Sequence, residues 1–143
     1  MDSRRIEIDV YVDGGCKANG RPEAKMYTSM AVYHQGAPVR EIRHAYEDFA
    51  HMTPQTNQHA ELLALRVAVE YLLGLQRRLG PEFCLEATVY TDSTLTVEFA
   101  NWKLTKPWLQ QQKTLIKDGE STLRSPLKIV RIPRDEIVAI LGH

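Results

Sequence analysis

Residues 6 to 15 read Ile6-Glu7-Ile8-Asp9-Val10-Tyr11-Val12-Asp13-Gly14-Gly15. Apolar side chains alternate with polar or aromatic ones over the first eight positions, which is the pattern of a β-strand with one buried face. The glycine pair predicts the end of this strand, because glycine interrupts regular structure. We therefore expect Asp13 at a strand end, a position where an aspartate commonly forms a turn.

Two more strands and a long helix follow in the sequence pattern. Residues 26–33 and 38–45 read as strands joined by a turn at Gln35-Gly36, which predicts an antiparallel meander of three strands. After a polar loop, the apolar residues of segment 58–79 form a helical stripe too wide to face solvent. This segment is expected to be a buried central helix, with Thr56 or Asn57 as its N-cap.

The second half of the chain alternates between strand and helix patterns. In order, the pattern predicts a strand at 85–91, a helix at 93–102, a basic connector at 103–106, a helix at 109–117, a strand at 127–132 and a helix at 133–143. The whole predicts a mixed α/β fold with a five-stranded sheet, strands 1 to 3 antiparallel, and helices on both faces. The 143 residues suit a single domain spanning 1–143. No separate module is expected ahead of the first strand.

The formal net charge is zero, but the charges are distributed unevenly. Residues 1–99 hold 10 Lys and Arg against 14 Asp and Glu, whereas residues 100–143 hold 8 against 4. An acidic region facing a basic one suits a phosphate polymer held by metals and cations together, although ordinary solvated charge explains the same numbers.

Cysteine usage and hydropathy bear on the compartment. Cys16 and Cys84 have neither metal-site spacing nor the density of a disulfide scaffold, so we expect free thiols. No apolar run approaches the roughly 20 residues of a membrane span, and residues 1–5 precede no signal-peptide core. A soluble, cytoplasmic monomer without membrane association is expected.

Three carboxylates stand in settings that can converge: Asp13, Glu61 on the central helix, and Asp92 after the fourth strand. Each has an ordinary explanation, because the aspartates can form turns or caps and Glu61 can point to solvent. Converging carboxylates, however, repel one another unless cations neutralise them. Together the three predict a site for divalent metal ions that supports phosphoryl transfer.

The segments around these acids resemble motifs of the type 1 ribonuclease H family. They are Asp13-Gly14-Gly15-Cys16-Lys17-Ala18-Asn19-Gly20, then Thr56-Asn57-Gln58-His59-Ala60-Glu61-Leu62-Leu63-Ala64-Leu65, then Tyr90-Thr91-Asp92-Ser93. The resemblance covers nearly the whole chain. It implies a ribonuclease H-like fold and an endonuclease that cuts the RNA strand of an RNA/DNA hybrid with two Mg²⁺ or Mn²⁺ ions. The implied products are 5′-phosphate and 3′-hydroxyl ends.

The resemblance also implies roles for individual residues. Asp13 would bridge the two metal ions, while Glu61 and Asp92 would each hold one, and Glu61 would also accept a hydrogen bond from a ribose 2′-hydroxyl. The implied substrate contacts are Gly14, Gly15, Cys16, Asn19, Thr56, Asn57 and Gln58, with Lys103 and Lys106 as phosphate contacts. Turn formation or helix capping is the alternative explanation for Asn19, Thr56 and Asn57.

The chain departs from the family near its C-terminus. The family supplies a fourth metal-binding Asp in a stretch resembling Arg-x-x-Asn-x-x-Ala-Asp, and here Leu141 stands at that position. We take His143 as the fourth catalytic residue, with Asp135 and Glu136 as the other substitutes and a frayed terminus as the alternative. An imidazole at this place would suit Mn²⁺ better than Mg²⁺.

Two other functions compete with this hypothesis. One is another nuclease of the ribonuclease H superfamily that acts on different nucleic acids, because the fold alone does not select the substrate. The other is a catalytically weak nucleic-acid-binding domain, for which the missing fourth acid is the reason.

Overall fold

The computed structural model describes residues 4–99 and 106–142. Ten elements follow one another in this part of the chain. They are β1 (Arg4–Lys17), β2 (Lys25–His34), β3 (Ala37–His44), α1 (Tyr46–Phe49), α2 (Asn57–Leu79), β4 (Phe83–Thr91), α3 (Thr94–Glu98), α4 (Pro107–Thr122), β5 (Lys128–Arg131) and α5 (Arg134–Leu141).

The five strands form one mixed sheet in the order β3-β2-β1-β4-β5. Strand β2 pairs antiparallel with both β1 and β3. Strand β4 pairs parallel with both β1 and β5. The predicted five-stranded mixed sheet with three antiparallel strands is confirmed.

Helices cover both faces of this sheet. On one face, α2 and α4 bury a large apolar cluster that includes Val10, Leu65 and Ile116. On the other, α5 packs Ile137 and Leu141 against Ala31. The alternation in β1 explains the division, because successive side chains of a strand point to opposite faces.

The predicted end of the first strand is wrong. Strand β1 continues through both glycines to Lys17, which pairs with Lys25 of β2, so Asp13 lies inside the strand. The glycines serve close packing instead. A Cβ at Gly14 would lie 2.0 Å from the carbonyl oxygen of Ala60 in α2. The first turn of α2 therefore lies directly against the backbone of β1.

The ends of the central helix follow the sequence closely. Thr56 is its N-cap, and its side-chain oxygen accepts a hydrogen bond from the His59 backbone N–H at 3.2 Å. Gly80, with φ at +88°, follows the last helical residue. The four-residue helix α1 was not predicted. It is anchored by Phe49, which is buried against Met26 and Leu63.

In the second half, α4 extends to Thr122, five residues beyond its predicted end. The helix predicted at 93–102 is described only in its first part, where α3 ends at Glu98. Within the described residues, no helix is long and apolar enough to cross a membrane.

Candidate active site

Three different elements bring the predicted carboxylates to one place. Asp13 lies in β1, Glu61 in the first turns of α2, and Asp92 directly after β4, which is the parallel neighbour of β1. Asp13 is 6 % exposed and the side chain of Asp92 is 13 % exposed. The contact between Gly14 and Ala60 sets Glu61 beside β1. The structure thus gathers three acids separated by as many as 79 positions in the sequence.

Asp13 carries the strongest electrostatic signature of this site. Burial, together with the negative charges of Asp92 and Glu61, raises its pKa from 3.8 to about 6. The positive charge of Arg134 and a hydrogen bond from the Gly14 backbone lower the pKa of Asp13. The site therefore disfavours a third negative charge unless a cation balances it.

Glu61 is held by residues that follow β4. The Ser93 hydroxyl donates to Glu61 Oε2 at 2.7 Å, and the Thr96 hydroxyl donates to the Glu61 backbone oxygen at 3.3 Å. Burial raises the pKa of Glu61, whereas the hydrogen bond from Ser93 lowers it. Ser93 is itself fixed as the N-cap of α3, where its hydroxyl accepts from the Thr96 backbone N–H at 3.1 Å.

Helix α5 brings a positive charge to the site. Arg134 opens α5, and its Nη1 lies 3.3 Å from Asp92 Oδ2. Sequence reasoning missed both Arg134 and Ser93 as members of the site. The available signals were the Arg that begins the family's C-terminal pattern and the position of Ser93 next to Asp92.

The donor set suits a hard divalent cation. Carboxylate oxygens are the ligands that Mg²⁺ and Mn²⁺ prefer, and a bound cation would offset the burial and the neighbouring negative charges that raise the pKa of Asp13. Within residues 4–99 and 106–142, however, no group of three or more His, Cys, Asp or Glu is arranged to hold an ion. Charges act over longer distances than metal coordination requires, so the acids influence one another without forming a finished cage.

The predicted substrate contacts around the turn after β1 bind one another. The Cys16 backbone N–H donates to Asn57 Oδ1 at 2.8 Å, and the Asn57 backbone N–H donates to Asn19 Oδ1 at 3.1 Å. These bonds tie the turn to the start of α2, as the capping and turn explanation expects. Asn19, Asn57 and Gln58 are nevertheless exposed. These three residues therefore remain accessible at the surface.

The structure gives less support to the remaining predicted site residues. Lys106 is exposed at the start of α4, while Lys103 and His143 lie outside the described residues. Asp135 and Glu136 are exposed in the first turn of α5. Leu141, which the motif resemblance predicted at the position of the fourth acid, is 1 % exposed within the apolar cluster under α5.

A buried histidine, His59, connects the first turn of α2 to the preceding loop and to α4. His59 Nδ1 lies 2.8 Å from the Pro54 carbonyl oxygen, and its Nε2 lies 3.1 Å from Gln112 Nε2 in α4. Its ring also packs against Trp108 at 4.7 Å between centroids. Burial lowers the pKa of His59, which favours the neutral ring. The histidine thus anchors the helix that carries Glu61.

Solved structures share this fold. RNase H1 from the archaeon Halobacterium salinarum NRC-1 superposes with a TM-score of 0.72 at 18 % identity, covering 92 % of this chain and 89 % of that one. LC11-RNase H1, isolated from compost and solved in complex with an RNA/DNA hybrid, gives 0.73 at 24 % identity, with the same coverage of 92 % and 89 %. An N-terminal RNase H domain from Mycobacterium tuberculosis gives 0.72 at 21 % identity, covering 94 % and 87 %.

At these identities the superpositions establish the fold. No curated protein sequence matches the chain significantly. The family model described as RNase H matches residues 5–137, a range that includes all three carboxylates. The chain therefore belongs to the RNase H family of nucleases.

Proposed function

We propose that this protein is an endoribonuclease that hydrolyses the RNA strand of RNA/DNA hybrids and leaves 5′-phosphate and 3′-hydroxyl ends. One observation carries the proposal: Asp13 is buried beside Glu61 and Asp92 on a fold of the RNase H family. The relative LC11-RNase H1 was solved in complex with an RNA/DNA hybrid, which supports the same substrate here.

The RNase H family generally uses divalent metal ions, and the three carboxylates supply suitable oxygen ligands. Asp13, Glu61 and Asp92 would together hold two such ions. Bound Mg²⁺ or Mn²⁺ would activate the attacking water and stabilise the charge on the leaving oxygen.

The protein's own residues prepare this site. Ser93 holds one oxygen of Glu61 and leaves the other to accept a hydrogen bond from a ribose 2′-hydroxyl. Arg134 pairs with Asp92 and offsets its negative charge when no divalent metal ion is bound. Asn57 and Gln58, which are exposed at the start of α2, would contact the sugar edge of the substrate.

A direct cleavage assay tests the proposal. Labelled RNA/DNA hybrid, double-stranded DNA and double-stranded RNA are each incubated with Mg²⁺, Mn²⁺ or EDTA. The expected result is metal-dependent cutting of the hybrid's RNA strand alone. Asp13→Asn and Asp92→Asn should lose cleavage and stay folded, whereas Asp118→Asn on the exposed side of α4 serves as the matched control. Cleavage by an Asp13→Asn protein at the wild-type rate would refute the site.

A catalytically weak nucleic-acid-binding domain is the second candidate function. It is favoured by Leu141, which stands buried at the place of the family's fourth acid. Hybrid binding with no cleavage in either metal would select this candidate. Cleavage of double-stranded DNA or RNA would instead indicate another nuclease of the superfamily.

We also propose His143 as the functional substitute for the fourth acid. His143→Ala should slow cleavage, with a larger effect in Mn²⁺ than in Mg²⁺ because an imidazole suits the softer ion. Equal rates for the variant and the wild type in both metals would exclude this role. His143→Gln, which keeps a polar side chain of similar length, is the matched control.

A further inference from the structure

A groove with a volume of about 630 Å³ lies beside the turn that follows β1. Its lining includes Lys17, Lys25, Tyr27, Arg43, His44 and Tyr46. The volume is within the range of roughly 300–1,000 Å³ typical of pockets that bind small molecules. The groove can therefore take a group of nucleotide size, but it is too small for a double helix.

The register of the sheet connects this groove to the three carboxylates. Asp13 pairs with Ser29, Gly15 with Tyr27 and Lys17 with Lys25. Paired residues of antiparallel strands present their side chains on the same face. The groove therefore lies on the sheet face that carries Asp13. It begins at the Gly15–Tyr27 pair, which is the next pair on this face after Asp13–Ser29. A Cβ at Gly15 would lie 2.3 Å from the Tyr27 hydroxyl oxygen, so the Tyr27 ring covers the strand between them.

The lining is cationic and aromatic. Lys17 and Lys25 are exposed, and Lys25 Nζ lies 5.0 Å from the centre of the Tyr46 ring. Two more basic residues, Arg43 and His44, line the groove. Arg43 also donates to the Ser29 hydroxyl at 3.1 Å and to the Leu141 carbonyl oxygen, and His44 Nδ1 lies 3.5 Å from the Thr28 hydroxyl.

Glu47 is the acid in this lining. Arg43 is paired with Glu41. Lys17 and Lys25 therefore carry the positive charge that is best placed to receive a phosphate chain.

Aromatic rings beside cations are the usual means of binding unpaired nucleic acid, because bases stack on the rings while phosphates meet the charges. In a duplex, the bases already stack on one another and cannot use Tyr46. The combination therefore favours a single strand over the double-helical part of a substrate.

We propose that this groove binds a single-stranded extension of the same RNA strand that the three carboxylates hold for cleavage. The strand assignment follows from the shared sheet face, because a chain with its cut phosphate at Asp13 can continue along the paired strands β1 and β2 towards Lys17. This inference rests on the proposed function, since it takes the strand at Asp13 to be the one that is cut.

The test compares binding of four substrates of identical duplex sequence. They are a blunt RNA/DNA hybrid and hybrids with an extension at the RNA 5′ end, the RNA 3′ end or one DNA end. Fluorescence anisotropy with Mg²⁺ in the Asp13→Asn background measures affinity without cleavage. We expect one RNA extension to tighten binding about fivefold or more, as one stacked base does. The DNA extension should give no such gain.

The variants remove charge and stacking separately. The double variant Lys17→Gln, Lys25→Gln should lose the gain and bind the blunt hybrid as before. For the extended hybrid, the slope of log affinity against log salt should become shallower by about 1.4, because two phosphate contacts on a single strand are lost. Tyr46→Leu should lose most of the gain and Tyr46→Phe should keep it. The control Lys128→Gln removes one charge on the exposed edge strand β5 and should change nothing.

Three outcomes would overturn the inference: no gain from either RNA extension, an equal gain from the DNA extension, or a gain that survives in the double variant. Cleavage of the blunt hybrid by the wild type is measured in parallel. The wild type could fail to cleave while the RNA extension still tightens binding through the two lysines. In that case the proposed catalysis is wrong, and the proposal that the groove binds single-stranded RNA is supported.

Discussion

Replacing Asp13 with Asn should make the metal-free protein more stable at neutral pH. Asp13 is 6 % exposed, and burial and the charges of Asp92 and Glu61 raise its pKa, so its ionised form is unfavourable in the folded state. Asparagine has nearly the same size and carries no charge at any pH. The substitution therefore removes the electrostatic cost and keeps the packing.

The size of the effect follows from the two pKa values of Asp13. The pKa is 3.8 for the unperturbed side chain and about 6 in the fold. A tenfold difference in proton affinity corresponds to about 1.4 kcal/mol, so ionised Asp13 costs about 3 kcal/mol at pH 7.5. The raised pKa means that the folded protein binds this proton more tightly than the unfolded chain. Its stabilising contribution is therefore full below pH 3.8 and is lost as the pH rises through 6.

Urea unfolding in EDTA at pH 7.5 and pH 5.0 measures this difference. The advantage of Asp13→Asn over the wild type should fall from about 3 kcal/mol at pH 7.5 to about half of that at pH 5.0. The control Asp118→Asn, at an exposed position, should change the free energy of unfolding by less than about 0.5 kcal/mol. A variant that is less stable than the wild type at pH 7.5, or one whose advantage is independent of pH, would refute the reasoning.

Three further perturbations address the same region. Gly14→Ala should destabilise the protein by about 3 kcal/mol in urea unfolding, because its Cβ meets the Ala60 carbonyl oxygen; a loss below 1 kcal/mol would contradict the backbone contact. Arg134→Gln should move the pKa of Asp13 above about 6, since the guanidinium lowers it; a carboxyl carbon NMR titration in EDTA reads this directly, and an unchanged pKa would speak against the interaction. Added Mg²⁺ should raise the melting temperature of the wild type with increasing concentration but not that of Asp13→Asn, and equal shifts would place the ion elsewhere.

The sheet and the central helix were predictable because their apolar periodicity is long and regular. Thr56 and Gly80 mark the ends of α2 in sequence and structure alike. The end of β1 was misplaced because local sequence cannot distinguish a glycine that breaks a strand from one that admits a neighbouring backbone. Helix α1 was not predicted because its four residues are stabilised by contacts of Phe49 with residues that are distant in the sequence.

The candidate site was predictable only in part. The three carboxylates are visible in sequence because each lies beside a recognisable strand or helix pattern. Arg134 was not, because its ion pair with Asp92 joins residues 42 positions apart and depends on α5 crossing the sheet. The groove near Lys17 was equally hidden, since the pairing of β1 with β2 and the position of α1 create it together.

The backbone contact between Gly14 and Ala60 limits how the spacing of Asp13 and Glu61 can change in evolution. The main chains of β1 and α2 touch there, so backbone atoms set the spacing between the two adjacent acids, Asp13 before Gly14 and Glu61 after Ala60. Substitutions elsewhere can change charge, reach or protonation at the site, but they cannot move these two acids apart without separating the strand from the helix. Under the proposed function, we therefore expect metal preference to be tuned at the partners outside this contact, Asp92 and Arg134.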